Sequence, residues 1–383
     1  MTERKRPEPI PLTVLTGFLG AGKTTLLNRL LQDNDLSDTA VLINEFGEIG
    51  LDHLLVEQVG TDMVLLASGC LCCTVRGDLV TALEKLLRDL DNGRVNFRRI
   101  IIETTGLADP APVLHTIMAH PYLVMRYRLD GVVTLIDAVN GNATLDAHVE
   151  AVKQLAVADR IVVTKTDLPE AKAHRETLLA RIRAINPVAR ILDGARGEAT
   201  AAKLLDAGLY NPDTKTPDVK RWLAEEAHAD AHAHHHHGDH AHHHDHGHHQ
   251  HAHDVNRHDD HIRSFVIATD QAVPAAALDM FFELLRSLHG PNLLRLKGIV
   301  RLSDDPDKPL VVHGVQHIFH PPTQLPAWPD GDRRTRLVFI VRDLDSQPIR
   351  DLFNAFINAP AIDRPDRAAL LDNPLVPFGG RDR

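Results

Sequence analysis

Seven short apolar runs punctuate the first half of this chain: Leu12–Thr16, Ala40–Ile43, Met63–Leu66, Arg99–Ile102, Val132–Ile136, Arg160–Thr164 and Ala189–Leu192. Helical patterns fill the intervals between them. Strands separated by helices cannot pair as tight hairpins, so each needs a crossover; the expected fold class is α/β, a mostly parallel sheet wrapped by helices. Ligands of such sheets gather at the carboxyl ends of the strands. The residues just after each run therefore carry the functional expectations.

After the first run comes Gly17-Phe18-Leu19-Gly20-Ala21-Gly22-Lys23-Thr24, followed by Leu26, Leu27, Leu30 and Leu31 at helical spacing. Strand, glycine-rich turn and helix in this order read as a P-loop, whose backbone N–H groups converge on phosphate oxygens. Gly17, Gly20, Ala21, Gly22 and Thr25 belong to that cradle. Lys23 is expected to neutralise the β/γ-phosphates and the Thr24 hydroxyl to ligate Mg²⁺. The fourth run ends in Glu103-Thr104-Thr105-Gly106, an acid placed to support the Mg²⁺ shell and a glycine whose N–H can meet a γ-phosphate. The stretch Asn44–Asp52 follows the second run, where γ-phosphate can order a loop that hydrolysis releases. Thr164-Lys165-Thr166-Asp167 follows the sixth. The Asp167 carboxylate, acceptor-only, suits the ring N–H and exocyclic amine of guanine, and Lys165 can lay its stem along the base. The usual pattern starts with Asn, so Thr164 is a departure.

All three cysteines lie in Gly69-Cys70-Leu71-Cys72-Cys73. Cys72 and Cys73 could form only a strained disulfide, so thiolate ligation of Zn²⁺ or another thiophilic metal is the expected use. Buried apolar cysteines and a redox sensor are the competing readings. A closed tetrahedral site needs more ligands than this motif supplies, and Glu45, Glu48 or an incoming partner can complete it. Seventeen histidines fall among the thirty-four residues His228–His261. That segment cannot bury a core and is expected to be a mobile linker, with imidazoles that buffer metal.

At 383 residues the chain exceeds one ordinary core, and the expected division is 1–210, a nucleotide domain, 211–261, the linker, and 262–383, a small α+β domain. In the last unit, strands are expected at Ile262–Ala268, Leu293–Leu302, Leu310–Phe319 and Leu337–Val341, with helices over Pro274–Leu288 and near Pro348–Asn358. A formal net charge of −10 with dispersed Lys and Arg gives no electrostatic case for nucleic acid or an anionic membrane. No apolar run reaches spanning length and the start is charged and Pro-rich, so a cytoplasmic location is the expectation.

Together Gly17–Thr24, Asn44-Glu45-Phe46-Gly47, Gly69–Cys73, Glu103-Thr104-Thr105-Gly106 and Thr164-Lys165-Thr166-Asp167, then a His-rich linker and a terminal domain, resemble the CobW family of GTPase metallochaperones. Arg295-Leu296-Lys297-Gly298 and Gly314-Val315-Gln316 are similar to stretches of that family's terminal domain. The resemblance implies hydrolysis of GTP to GDP and phosphate, coupled to delivery of Zn²⁺ or Co²⁺ to an apo client metalloprotein. It also implies that Cys70, Cys72 and Cys73 are the cargo ligands. The alternatives are a cobalt-handling accessory GTPase of cobalamin assembly and a zinc buffer.

Overall fold

The computed structural model describes residues 8–32, 36, 38–44, 65–68, 75–205, 261–329 and 331–357. Glu45–Asp52 of the expected switch loop, the motif Gly69–Cys73 and the His-rich segment up to Asp260 lie outside the described residues.

In the first half, β1 (Ile10–Gly17), β2 (Thr39–Asn44), β3 (Leu65–Ser68), β4 (Arg99–Glu103), β5 (Tyr127–Asp137), β6 (Arg160–Thr164) and β7 (Arg190–Asp193) form one sheet. Its order is β3-β2-β4-β1-β5-β6-β7, and the neighbours are parallel. Side-chain alternation divides the strands between two cores. Leu12, Val14, Leu42, Ile100 and Ile102 face α2 (Val75–Asp91), α3 (Ala111–Ala119) and α4 (Pro121–Arg126), while Leu15, Val41, Ile43 and Ile101 face α1 (Lys23–Leu31) and α8 (Ala201–Leu204). Burial on both faces explains why these runs read as continuously apolar. A third cluster gathers Ile136, Ile161 and Val163 with α5 (Gly141–Ala147), α6 (Val149–Ala156) and α7 (Ala171–Ile185).

The register sets the site. Leu15 pairs Glu103, Gly17 pairs Leu135, Asp137 pairs Thr164 and Val163 pairs Asp193. The carboxyl ends of β1, β4, β5, β6 and β7 therefore line one edge.

The second half builds an antiparallel sheet of β8 (Ile262–Thr269), β9 (Leu293–Val300), β10 (Leu310–Val315), β11 (Ile318–Phe319) and β13 (Thr335–Arg342), in the order β11-β10-β9-β13-β8, with β12 (Thr323–Gln324) paired to β10. Helices α9 (Ala275–His289) and α10 (Ser346–Phe356) cover one face through Phe281, Leu285 and Phe353. The run Leu310–Phe319 is not one strand. It folds back at Gln316, whose φ is 52°, and Gly314 lies opposite Phe319. A Cβ on Gly314 would sit 2.9 Å from the Phe319 ring, so glycine is what admits that ring to the hairpin. The other face of this sheet docks on the first half: Arg295 and Lys297 reach Asp159, and Val315 joins the core that contains Leu114.

Candidate functional site

The loop after β1 is built by glycines in backbone states that side chains resist. Gly20 and Gly22 have φ of 73° and 92°. Gly17 approaches β5 so closely that a Cβ there would lie 2.5 Å from the Leu135 carbonyl oxygen. Gly22 caps α1 without a side-chain hydrogen bond, and no acid occupies the first turn. The helix thus turns its first N–H groups and its positive dipole end toward the loop. Lys23 folds over it, its ammonium donating to the carbonyls of Gly17 at 2.9 Å and Phe18 at 3.3 Å. Thr25 is exposed on the outer side.

One step into α1, the Thr24 hydroxyl donates to Glu103 Oε1 at 3.2 Å. Glu103 is buried, 5% exposed, and the strand end that carries it is tied to β1: Thr104 N donates to Leu15 O at 2.9 Å and the Thr104 and Thr16 hydroxyls are 2.8 Å apart. A hydroxyl and a carboxylate oxygen brought together beside an uncapped helix end form a hard-oxygen donor pair of the kind Mg²⁺ takes alongside waters and phosphate. Gly106 packs on the same loop. A Cβ there would meet Leu19 N at 2.6 Å.

The base-side loop is close by. Thr164 Oγ1 lies 2.9 Å from Ala21 O and 3.3 Å from Ile136 O, so its hydroxyl straps this loop to the phosphate loop. Lys165 takes a left-handed backbone, φ 56°, and its ammonium sits 2.6 Å from Asp137 Oδ2. Burial pushes the Asp137 carboxyl upward, but the bonds it accepts from Lys165, Val139 N and Asn140 prevail and hold it below the ordinary carboxylate range. Asp167 is exposed beyond them. A cavity of about 230 Å³ opens against Phe18–Ala21, with Asp137, Asn140, Thr144 and Lys165 on its walls.

The structure thus brings together Gly17, Gly20, Ala21, Gly22, Lys23, Thr24, Glu103, Gly106, Thr164 and Lys165. Glu45, Cys70, Cys72 and Cys73 lie outside the described residues, and among the described residues no three His, Cys, Asp or Glu side chains cluster as a metal site. Three residues escaped the sequence reading. Asp137 ends β5 as Glu103 ends β4, a signal that was available. Asp193 ends β7 and anchors the base-side loop by accepting from the Thr166 hydroxyl and from Ala195 N at 3.1 Å. Gln154, on α6, has no sequence signature; it is buried and its amide donates to the carbonyls of Gly106 and Ala108 at 3.1 and 3.0 Å.

This fold and loop define a P-loop nucleotide-binding domain joined to an antiparallel-sheet domain. The model of the CobW/HypB/UreG nucleotide-binding domain matches residues 11–193, and that of the cobalamin synthesis protein cobW C-terminal domain matches residues 262–357. The zinc chaperone YjiA of Escherichia coli is 33% identical over 345 residues, covering 90% of this chain and 98% of its own. The zinc chaperone CobW of a Sinorhizobium species is 32% identical, covering 93% and 99%. The zinc-regulated GTPase metalloprotein activator 1 of Schizosaccharomyces pombe is 39% identical across 53% of this chain and 50% of its own. The crystal structure of Zn(II)-bound YjiA superposes with a TM-score of 0.65 over 91% of this chain and 99% of that one, at 28% identity. The chain belongs to the CobW family of P-loop GTPases. No helix among the described residues is long and apolar enough to cross a membrane.

Proposed function

We propose that this chain is a GTP-hydrolysing metallochaperone, in which residues 1–210 bind nucleotide and zinc and the nucleotide state times zinc transfer to an apo client protein. The observation that carries the nucleotide half is the Thr24 hydroxyl donating to the Glu103 carboxylate beside an uncapped, glycine-built helix end. In this reading the N–H groups of Gly20–Thr25 hold phosphate oxygens, and Lys23 turns from the Gly17 and Phe18 carbonyls toward the β- and γ-phosphates. Thr24 and Glu103 would hold Mg²⁺, and the ion would supply positive charge to the phosphate oxygens. Gly106 N–H faces the terminal phosphate. Lys165 flanks the base, held by Asp137, and Asp167 accepts from guanine.

The zinc half rests on Cys70, Cys72 and Cys73, with Glu45 as the added ligand, and is supported by the names of the relatives, two zinc chaperones and a zinc-regulated GTPase. Co²⁺ is the other cargo such thiolates accept. Linkage sets the test. If GTP tightens the thiolate site, zinc tightens GTP by the same factor, typically ~5–150-fold. Zinc affinity measured by competition with a chromophoric chelator is expected to be higher with a non-hydrolysable GTP analogue than with GDP. In Lys23→Ala the difference disappears. Equal affinities in the two nucleotide states of the unaltered chain refute the coupling.

A further inference from the structure

Helix α6 touches both halves of the molecule. At its start, the His148 ring stacks on Phe18 of the phosphate loop, centroids 4.3 Å apart. Along its length, Lys153 pairs with Asp109 at 2.9 Å, and the Gln154 amide holds the Gly106 and Ala108 carbonyls. The Gln154 carbonyl in turn accepts from the Thr134 hydroxyl at 2.8 Å, fixing the helix to β5. At its end, the Val157 carbonyl accepts from Arg295 at 2.6 Å. Arg295 also donates to Asp159 at 2.6 Å, Lys297 donates to the same oxygen, and the other Asp159 oxygen accepts Val132 N at 2.8 Å.

We infer that α6 is a rigid coupler through which the docked C-terminal sheet sets the position of loop 104–109, and hence the rate at which bound GTP is hydrolysed. The coupling to rate rests on the nucleotide reading above; the mechanical link does not. A helix of eight residues spans about 12 Å, too short to bend appreciably, so a shift at Val157 reaches Gln154 nearly undiminished. Gln154 is only 1% exposed and its bond to the Gly106 carbonyl is buried, so that carbonyl, on losing it, would have no water to turn to. Such a loop has two states, held and released. The C-terminal sheet, which carries no catalytic constellation of its own among the described residues, thereby gains a role in control. Gln154 and Arg295 are positioning residues.

The full-length chain tests this with Arg295→Gln, Gln154→Leu and the double variant, read by hydrogen exchange at amides 104–109 and by steady-state GTP turnover. Each single change is expected to speed exchange there by about 2- to 30-fold and to alter kcat more than KM. The double is expected to match the worse single, because both cut one connection. Wild-type exchange in Arg295→Gln, or effects that multiply in the double, would overturn the inference. Should Arg295→Gln not fold, the partly exposed Lys153→Met variant decides. Reciprocity requires faster exchange at amides 295–297 when the Asp109 end is loosened, and unchanged exchange there overturns the link. A chain that folds but does not turn over GTP refutes the functional reading of the preceding subsection, while the exchange results alone still support or overturn the coupler.

Discussion

Thr164 shows how a departure from pattern can preserve a function. The sequence marks it only as the wrong residue at the head of Thr164-Lys165-Thr166-Asp167. The structure supplies the reason it is tolerated: its hydroxyl reaches Ala21 O at 2.9 Å, and one donor suffices for that strap. Thr164→Val keeps the shape and removes the donor. It is expected to weaken GDP binding about 2- to 10-fold, the worth of one neutral hydrogen bond, while Thr164→Asn restores it. The GDP-to-ADP preference is expected to stay, since Asp167 is untouched, and a fluorescence titration with both nucleotides checks each point. Glu103 and the glycines after β1 were legible as strand-end signals, whereas Asp137 and Asp193 carry the same signal and were passed over. Gln154 carries no such signal, because a polar residue within an amphipathic helix looks the same whether it faces water or pins a loop.

Among the elements, strand and helix order was legible from hydrophobic period, and the boundaries less so. β5 begins at Tyr127, five residues before the apolar run, because Asp130 is buried in it beside Thr13 and Arg99, and a polar residue in a strand masks the pattern. The hairpin after β10 was missed for a related reason: Gln316 and His317 form the bend, and neither is a customary turn residue. The phosphate loop is where backbone geometry was best predicted by composition, and its glycines are expected to differ in cost. At Gly22 an added Cβ has room, its nearest neighbour being Thr164 Cγ2 at 3.8 Å, so Gly22→Ala carries mainly the left-handed penalty of about 1–2 kcal/mol. At Gly17 the same methyl meets backbone of β5 at 2.5 Å, which cannot yield without parting two central strands. Urea unfolding is expected to rank Gly17→Ala clearly below Gly22→Ala, with Gly106→Ala near the former because its Cβ meets Leu19 N at 2.6 Å.

For the molecule as a whole, the two halves are joined around a buried charge cluster that no sequence rule anticipates, since Asp159, Arg295 and Lys297 are far apart in the chain and each alone reads as surface. All three are 4% exposed or less. The shifts within the cluster are unequal. Burial pushes Asp159 up, yet the fields of Arg295 and Lys297 and their hydrogen bonds overcome it and hold the carboxyl far below its ordinary range. Lys297 is lowered, because burial and the neighbouring Arg295 outweigh what it gains from Asp159. One carboxylate shared by two cations leaves the anion over-compensated and the second cation under-compensated. His313, pressed down by burial and by both cations, stays neutral beside them. Removing the anion should therefore cost more than removing either cation. Asp159→Asn, which keeps the shape, is expected to destabilise the docked chain by about 3–5 kcal/mol, whereas replacing all three with apolar side chains is expected to be near neutral or stabilising. The pH dependence follows from the depressed carboxyl. Its contribution is complete above the unfolded pKa of about 3.9 and is lost as pH falls below it, because the unfolded chain takes up a proton that the folded chain refuses. Urea unfolding followed by circular dichroism from pH 5 to pH 3 is expected to show a steeper loss for the wild type than for Asp159→Asn, and parallel curves would place the acid sensitivity elsewhere.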